Sequence, residues 1–451
     1  MSFMRKVSQK FLKQIAMLST LLLVVAAVCQ RPGWRAIAQS APVDQAVEDA
    51  RQMVIDGRRV FRFDTFGDEV FWGDTLKLHQ AIQGSRLGGV GDGLSPQAAL
   101  NLGLKVDAEV VPTAVADQIK SGQLSLKDPA NTLALLKLNA VVGVTGFFDG
   151  DQLRAIGIQC ALCHSTVDDS FLPGIGKRLD GWPNRDLDIG KIVALAPDLR
   201  AFAELLMVDQ NTVRTVLQSW GPGKFDAELS LDGKAFNPDN GGKSAATLIP
   251  PAFGLAGVNL HTWTGWGGVS HWNAFVANIE MHGVGRFFDP RLNDPKFRIA
   301  VRGGFADIKV DPANDRITKQ LPALQVYQLS LRAPKPVDSS FNRDAAARGQ
   351  RLFDGKAQCN NCHVRPLFTE PGWNMHTPQE VCIDSFQADR SPDRRYRTAP
   401  LAGLFAHQKG GFYHDGRFET LNQVLDHYNT CRSLGLSSQE KTDVIQYLLS
   451  L

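Results

Sequence analysis

Two five-residue segments carry the most specific chemistry in this chain: Cys160-Ala161-Leu162-Cys163-His164 and Cys359-Asn360-Asn361-Cys362-His363. In C-x-x-C-H the two thiols can add to the vinyl groups of a haem, and the adjacent imidazole reaches the iron from the same turn. Zinc would want the two C-x-x-C pairs roughly 15 to 20 residues apart, whereas about 195 separate them here. A thioredoxin-like redox pair needs a βαβ context, which the sequence lacks, and gives no reason for a His after both pairs. The spacing predicts two covalently bound c-type haems. Cys160, Cys163, Cys359 and Cys362 would attach them, and His164 and His363 would be their iron ligands.

Those motifs use four of the 7 cysteines. Cys29 falls in a leader-like segment: Arg5, Lys6, Lys10 and Lys13 precede an apolar run from Ile15 to Val28, and Ala36-Ile37-Ala38 offers a cleavage site. That run has the length of a secretory h-region and is short for a bilayer span. Export to the periplasm with cleavage near Ala38 is therefore expected, and haem attachment of this type takes place outside the cytoplasm. Cys382 and Cys431 remain; in an oxidising compartment they form one disulfide or stay as two buried thiols.

The 451 residues are 43% hydrophobic and 21% charged, which excludes a disordered or fibrous chain. Residues 1–38 hold six Lys/Arg and no Asp/Glu, so their removal turns the net charge from +3 to −3. With no dense basic run in the rest, nucleic acid is not an expected partner. No later apolar run approaches the length of a transmembrane segment.

The elements that must position these motifs are read as mainly α with long loops. Residues 40–83 look helical and then aromatic, and residues 84–97 read as a glycine-rich loop. Helices are expected from Asn131 to about Val142 and from Asp198 to about Trp220, followed by a long loop over 221–258. Leu331–Asn342 is the best linker candidate. A short helix over Asp344–Phe353 and a final helix behind the capping box Ser437-Ser438-Gln439-Glu440 complete the chain. Little in it alternates like a strand. The expected division is a leader (1–38), an elaborated N-terminal haem domain (39–332) and a C-terminal haem domain (343–451).

From Gly349 onward the chain resembles the C-terminal domain of the bacterial di-haem cytochrome c peroxidase and MauG-like family. The likeness rests on Gly349-Gln350-Arg351-Leu352-Phe353 before the second motif, then Leu367-Phe368-Thr369-Glu370 and Tyr396-Arg397-Thr398-Ala399-Pro400-Leu401. It continues through Phe412-Tyr413-His414-Asp415-Gly416-Arg417-Phe418, Thr420-Leu421 and Val424. In the N-terminal half it is patchier: Pro250-Pro251-Ala252-Phe253, Trp263 to Trp266-Gly267, and Glu280-Met281. Phe61–His79 and Trp220–Leu248 look like elaborations.

The resemblance implies two cytochrome c-type domains facing each other, the C-terminal haem taking electrons and the N-terminal haem meeting peroxide. It carries Glu280 over as acid/base, Trp266 as a relay between the haems, and Arg397 and His414 as contacts to haem propionates or the C-terminal haem pocket. A calcium ion between domains and a homodimer are further family features. The sequence departs from the family at the distal ligands. Where the peroxidases place a Met on the C-terminal haem, fourteen residues past His414, stands Tyr428, with His427 beside it. MauG also has Tyr there, and Tyr or His instead of Met lowers a haem potential. Either could be the ligand, or Tyr428 packs at a helix end. Around Gly176–Trp182 there is no distal His, so the N-terminal haem is open to substrate or takes His261, His271, His282 or His79.

Three functions fit these residues: reduction of hydrogen peroxide with electrons from a small redox protein, MauG-like or rubber-oxygenase-like oxidation of an organic or protein substrate, and plain electron transfer with both haems six-coordinate.

Overall fold

A computed structural model describes residues 42–407 and 409–451. The expected leader, with its expected cleavage site and Cys29, lies outside the described residues. The described chain is mainly helical, with long loops and six two-stranded sheets. No helix among the described residues is long and apolar enough to cross a membrane.

It opens on the helix Pro42–Phe63. The expected helix near Asn131 runs Pro129–Lys137; Asp128 caps it by accepting from the Ala130 N–H (3.1 Å), and Asn139 turns the chain out at φ 52°. The expected helix over Asp198–Trp220 is two helices, Arg200–Leu206 and Gln210–Ser219. Met207 takes a left-handed backbone (φ 58°), and Asp209 starts a new helix by accepting from the Asn211 and Thr212 N–H groups. An internal N-cap here outweighs a continuous apolar face.

The longest strands form an antiparallel hairpin, Val144–Asp149 with Gln152–Ile158, turning at Gly150-Asp151. Its first residues press directly on the first haem motif. Gln159 N–H donates to the Gly143 carbonyl (3.0 Å). A Cβ on Gly143 would lie 2.1 Å from the Leu162 nitrogen, and its φ of 78° suits glycine alone.

The hydrophobic clusters follow the sequence. Three draw their buried members from residues 60–327, and a fourth gathers Phe353, Leu425, Val444, Tyr447 and Leu448 from the C-terminal part. In that last cluster the helices Arg343–Asp354 and Ser438–Leu449 cross at Gly349, where a Cβ would meet the Asp443 carbonyl oxygen at 1.9 Å. The Ser437/Glu440 capping box starts the final helix as expected. Residues 331–342 contain no helix or strand. Cys382 and Cys431 are joined in a disulfide across 49 residues, a closure worth about 4 kcal/mol on loop-entropy grounds.

Arg390 ties the segment around residue 390 to residues 226–245. Only 1% exposed, its guanidinium meets Asp226 at 3.0 Å and Asp232 at 2.9 Å, over the Phe386 ring. Replacing Arg390 with Leu leaves both carboxylates buried without their cation. The expected cost is about 3 to 5 kcal/mol, read as a lower urea midpoint; an unchanged midpoint would contradict the role given to this pair.

Candidate haem-binding cavity

Both C-x-x-C-H motifs wind a single turn. In the first, Cys160 leads the short helix Ala161–His164, and the His164 N–H returns to the Cys160 carbonyl at 3.1 Å. In the second, Gln358 enters in a left-handed conformation (φ 54°), Cys359–Asn361 form a 3-10 turn, and the His363 N–H bonds the Cys359 carbonyl at 2.9 Å. Each turn brings two thiols and one imidazole to the same side of the backbone.

The two turns open onto one cavity of about 630 Å³, lined by Cys160, Cys163, His164, Cys359, Cys362 and His363. None of the four thiols is in a disulfide. Burial pushes Cys160, Cys163 and Cys359 up to about 12, so as free thiols these cysteines are neutral. Burial also lowers both imidazoles, His164 to about 4, so each is in the neutral form that can bind a metal. The His363 Nδ1 pairs with the Phe368 carbonyl at 3.1 Å. That contact, with the proton on Nδ1, leaves Nε2 for iron, the usual arrangement for a ligating histidine. At His164 the Pro250 carbonyl lies near enough to favour the protonated ring, but Nδ1 has no partner in hydrogen-bond geometry.

The charged groups fit a haem as well. Arg185 is buried with no partner on Nε, Nη1 or Nη2, and Arg397, on the cavity wall, has an unpartnered Nε. Burial alone pushes both guanidinium groups down to about 10. A buried cation needs an anion, and haem propionates supply carboxylates that an Arg fork matches. Arg185 lies close enough to His164 to depress its protonation. His414 lines the cavity with its ring stacked on Tyr396 at 5.1 Å.

On the distal question the structure separates the two neighbours. Tyr428 lines the cavity beside Cys359 and Cys362. His427 turns away, with Nε2 bonded to the Val381 carbonyl at 2.9 Å. Burial raises Tyr428, and Tyr413, also on the cavity wall, stands 6.2 Å away ring to ring.

Glu280 reaches the same cavity with Oε1 buried and unpartnered, close enough to Cys163 to raise that thiol further. Burial raises Glu280 well above the ordinary carboxyl range, and Glu228 and Asp226 raise it further. Of the four histidines considered for the N-terminal haem, His261 and His282 line the cavity; His79 and His271 do not. His282 stacks on Phe71 at 3.6 Å, beside Trp72 and Phe202. His271 faces Asp289 at 3.5 Å.

Trp266 sits in the cluster with Phe275 and Phe297, donating to Asp289 at 3.1 Å, and is not on the cavity wall. Trp263 is on that wall, and its carbonyl accepts from the Arg397 N–H at 2.9 Å. Sequence reasoning missed Arg185, Trp263, Asp226 and Glu228. A W-x-x-W pair signals Trp263 and Trp266 equally, and nothing local marks the other three as buried.

Among the described residues, one set of Cys, His and carboxylate side chains has ligand atoms close enough to hold a metal: Cys362, Glu370 and His376. Glu370 is already bonded by His376 Nε2 (2.6 Å), Thr398 Oγ1 (2.5 Å) and Asn374 Nδ2 (3.2 Å). Its single carboxylate does not suit calcium, which takes six or more oxygens.

No protein-family model matches this chain, and no curated protein matches it. Similar solved structures include a MauG-like protein associated with microbial copper homeostasis, 18% identical over 50% of this chain and 79% of that one, with a TM-score of 0.30. Another is the hydrazine synthase of Kuenenia stuttgartiensis, 19% identical over 48% and 76%, with a TM-score of 0.28. Likeness this slight leaves the reading to the chain's own residues.

Two haems require both pairs of thiols. Cys160→Ala with Cys163→Ala should halve the covalent haem per chain in a pyridine haemochrome assay, as should the pair Cys359→Ala and Cys362→Ala. Full haem content in either double variant would rule out attachment at that motif.

Proposed function

We propose that this chain is an exported di-haem c-type oxidoreductase that reduces hydrogen peroxide in the periplasm with electrons from a small redox protein. The observation that carries this reading is the single cavity shared by both C-x-x-C-H turns, with a buried, unpartnered carboxyl, Glu280, on its wall near Cys163.

Bound haem would supply an iron that binds peroxide and passes electrons one at a time. The chain's residues then do the rest. His164 and His363 offer neutral imidazoles, and the Phe368 carbonyl orients the second. Arg397 on the cavity wall, and Arg185 near His164, would pair with the carboxylates of a bound haem. Glu280, kept protonated by burial, has a proton to give the departing oxygen and can take one back. Trp72, Leu162, Phe202 and Val276 make the surrounding wall apolar and limit water.

A second reading is oxidation of an organic or protein substrate in the manner of MauG or the rubber oxygenases. What favours it is Tyr428 on the cavity wall where the peroxidases carry Met: a phenolate donor would lower the potential and hold the oxidised states longer.

Steady-state consumption of hydrogen peroxide with reduced cytochrome c tests the first reading. The wild-type protein should turn over, and Glu280→Gln should lower kcat by about 10²- to 10⁴-fold with haem content unchanged. An undiminished rate in that variant would remove Glu280 from the reaction. Tyr428→Phe should raise the potential of one haem and alter its ferric spectrum; an unchanged spectrum and potential would remove Tyr428 as a ligand and with it the support for the second reading.

A further inference from the structure

Glu280 has three further carboxyl groups and one guanidinium buried near it, making a set of four acids and one cation. Asp226 is 1% exposed and Glu228 7% exposed, and both line the cavity. Asp232 ends the short helix Leu229–Asp232 that follows them. Arg390 is the cation of the set. It meets Asp232 with both Nε and Nη2, at 2.9 and 3.1 Å, and Asp226 Oδ1 with Nη2 at 3.0 Å.

That geometry uses Arg390 on Asp232 and on one oxygen of Asp226. It leaves Asp226 Oδ2, Glu228 Oε2 and Glu280 Oε1 buried with no hydrogen-bond partner. One positive charge cannot neutralise four carboxylates in an apolar interior, so part of the set must carry protons. The groups facing it are few. Arg390 favours the charged forms of Asp226 and Glu228, Gln387 favours charged Glu228, and Cys163 beside Glu280 carries no charge, as a thiol or as a thioether. Burial raises Asp226 and Glu228 above the ordinary carboxyl range, and Arg390 opposes this only in part. Protons in such a set belong to the group as a whole.

We infer that Glu228 and Asp226 form a proton reserve for Glu280, reloading it during peroxide reduction. This rests on the peroxidase reading. The balance is H2O2 + 2 H+ + 2 e− → 2 H2O: the O–O bond breaks, two O–H bonds form, the electrons come from the reduced redox-protein donor, and the protons pass through Glu280. Glu228 and Asp226 act through Glu280 and do not touch peroxide; Arg390 sets how many protons the set holds. Because the donating form is the protonated one, it is present at low pH and lost as pH rises through the range of the set.

The test uses the full haem-loaded protein. Glu228→Gln should lower peroxide turnover at pH 7 by about 10- to 100-fold, enlarge the D2O solvent isotope effect and flatten the alkaline limb of the pH profile. Haem content and cyanide affinity should stay unchanged, and Glu228→Asp should restore most of the rate. A wild-type rate, isotope effect and pH profile in Glu228→Gln would overturn the proposal.

Infrared spectroscopy of the resting protein supplies a second readout that needs neither turnover nor a folded variant. The wild type should show a protonated carboxyl band at pH 7 that shifts in D2O and fades at alkaline pH, and absence of that band would overturn the reserve. If the band is present and the wild-type protein does not consume peroxide, the peroxidase reading fails while the protonated carboxyl set stands.

Discussion

Charge held away from water is the constraint on which the rest of this structure depends. Arg185 is buried and Arg397 half-buried, neither with a carboxylate partner among the described residues, and Glu280, Glu228 and Asp226 each keep an oxygen unpaired. Each such group costs on the order of 1 to 3 kcal/mol, and more if charged, unless something in the site answers it. The cations ask for anions and the acids for protons. A haem with two propionates, attached through these cysteines and set against neutral imidazoles, would meet the first demand; proton-consuming chemistry would make use of the second.

The scaffold serves that arrangement with a few rigid contacts. Gly143 lets the hairpin press against the first motif, and Gly349 lets the terminal helices of the C-terminal part touch, below the second. The disulfide Cys382–Cys431 fixes the loop whose Val381 carbonyl turns His427 away from the cavity. Arg390 binds the acidic segment from the far end of the chain, so the carboxyl set depends on contacts more than 150 residues apart in sequence. The same pair both stabilises the fold and sets the charge of the cavity wall.

The two C-x-x-C-H motifs are legible in sequence because covalent attachment and a metal ligand would require fixed spacing within one turn, and no tertiary contact is needed to recognise them. The Ser437 capping box and the helix after Asn342 are legible for the same reason: their signals are local. The helix break at Met207 is less so, since an apolar face runs across it and only Asp209 marks the restart. The hairpin is not expected from the sequence, because its strands do not alternate cleanly: several consecutive residues of Gln152–Ile158 are buried. The cavity wall is the least legible part. Nothing in the neighbourhood of Asp226 or Glu228 distinguishes a buried charge from a solvated one, and Trp263 and Trp266 differ only in which way the fold turns them.

The account's central claim is that both motifs hold haem in one cavity and that one haem keeps an open position. Electron paramagnetic resonance of the as-isolated and half-reduced protein measures this directly. The account predicts two haem signals, one of them high-spin and converted to low-spin by cyanide. Two low-spin signals in every redox state, neither responding to cyanide, would contradict it and leave a protein that only carries electrons.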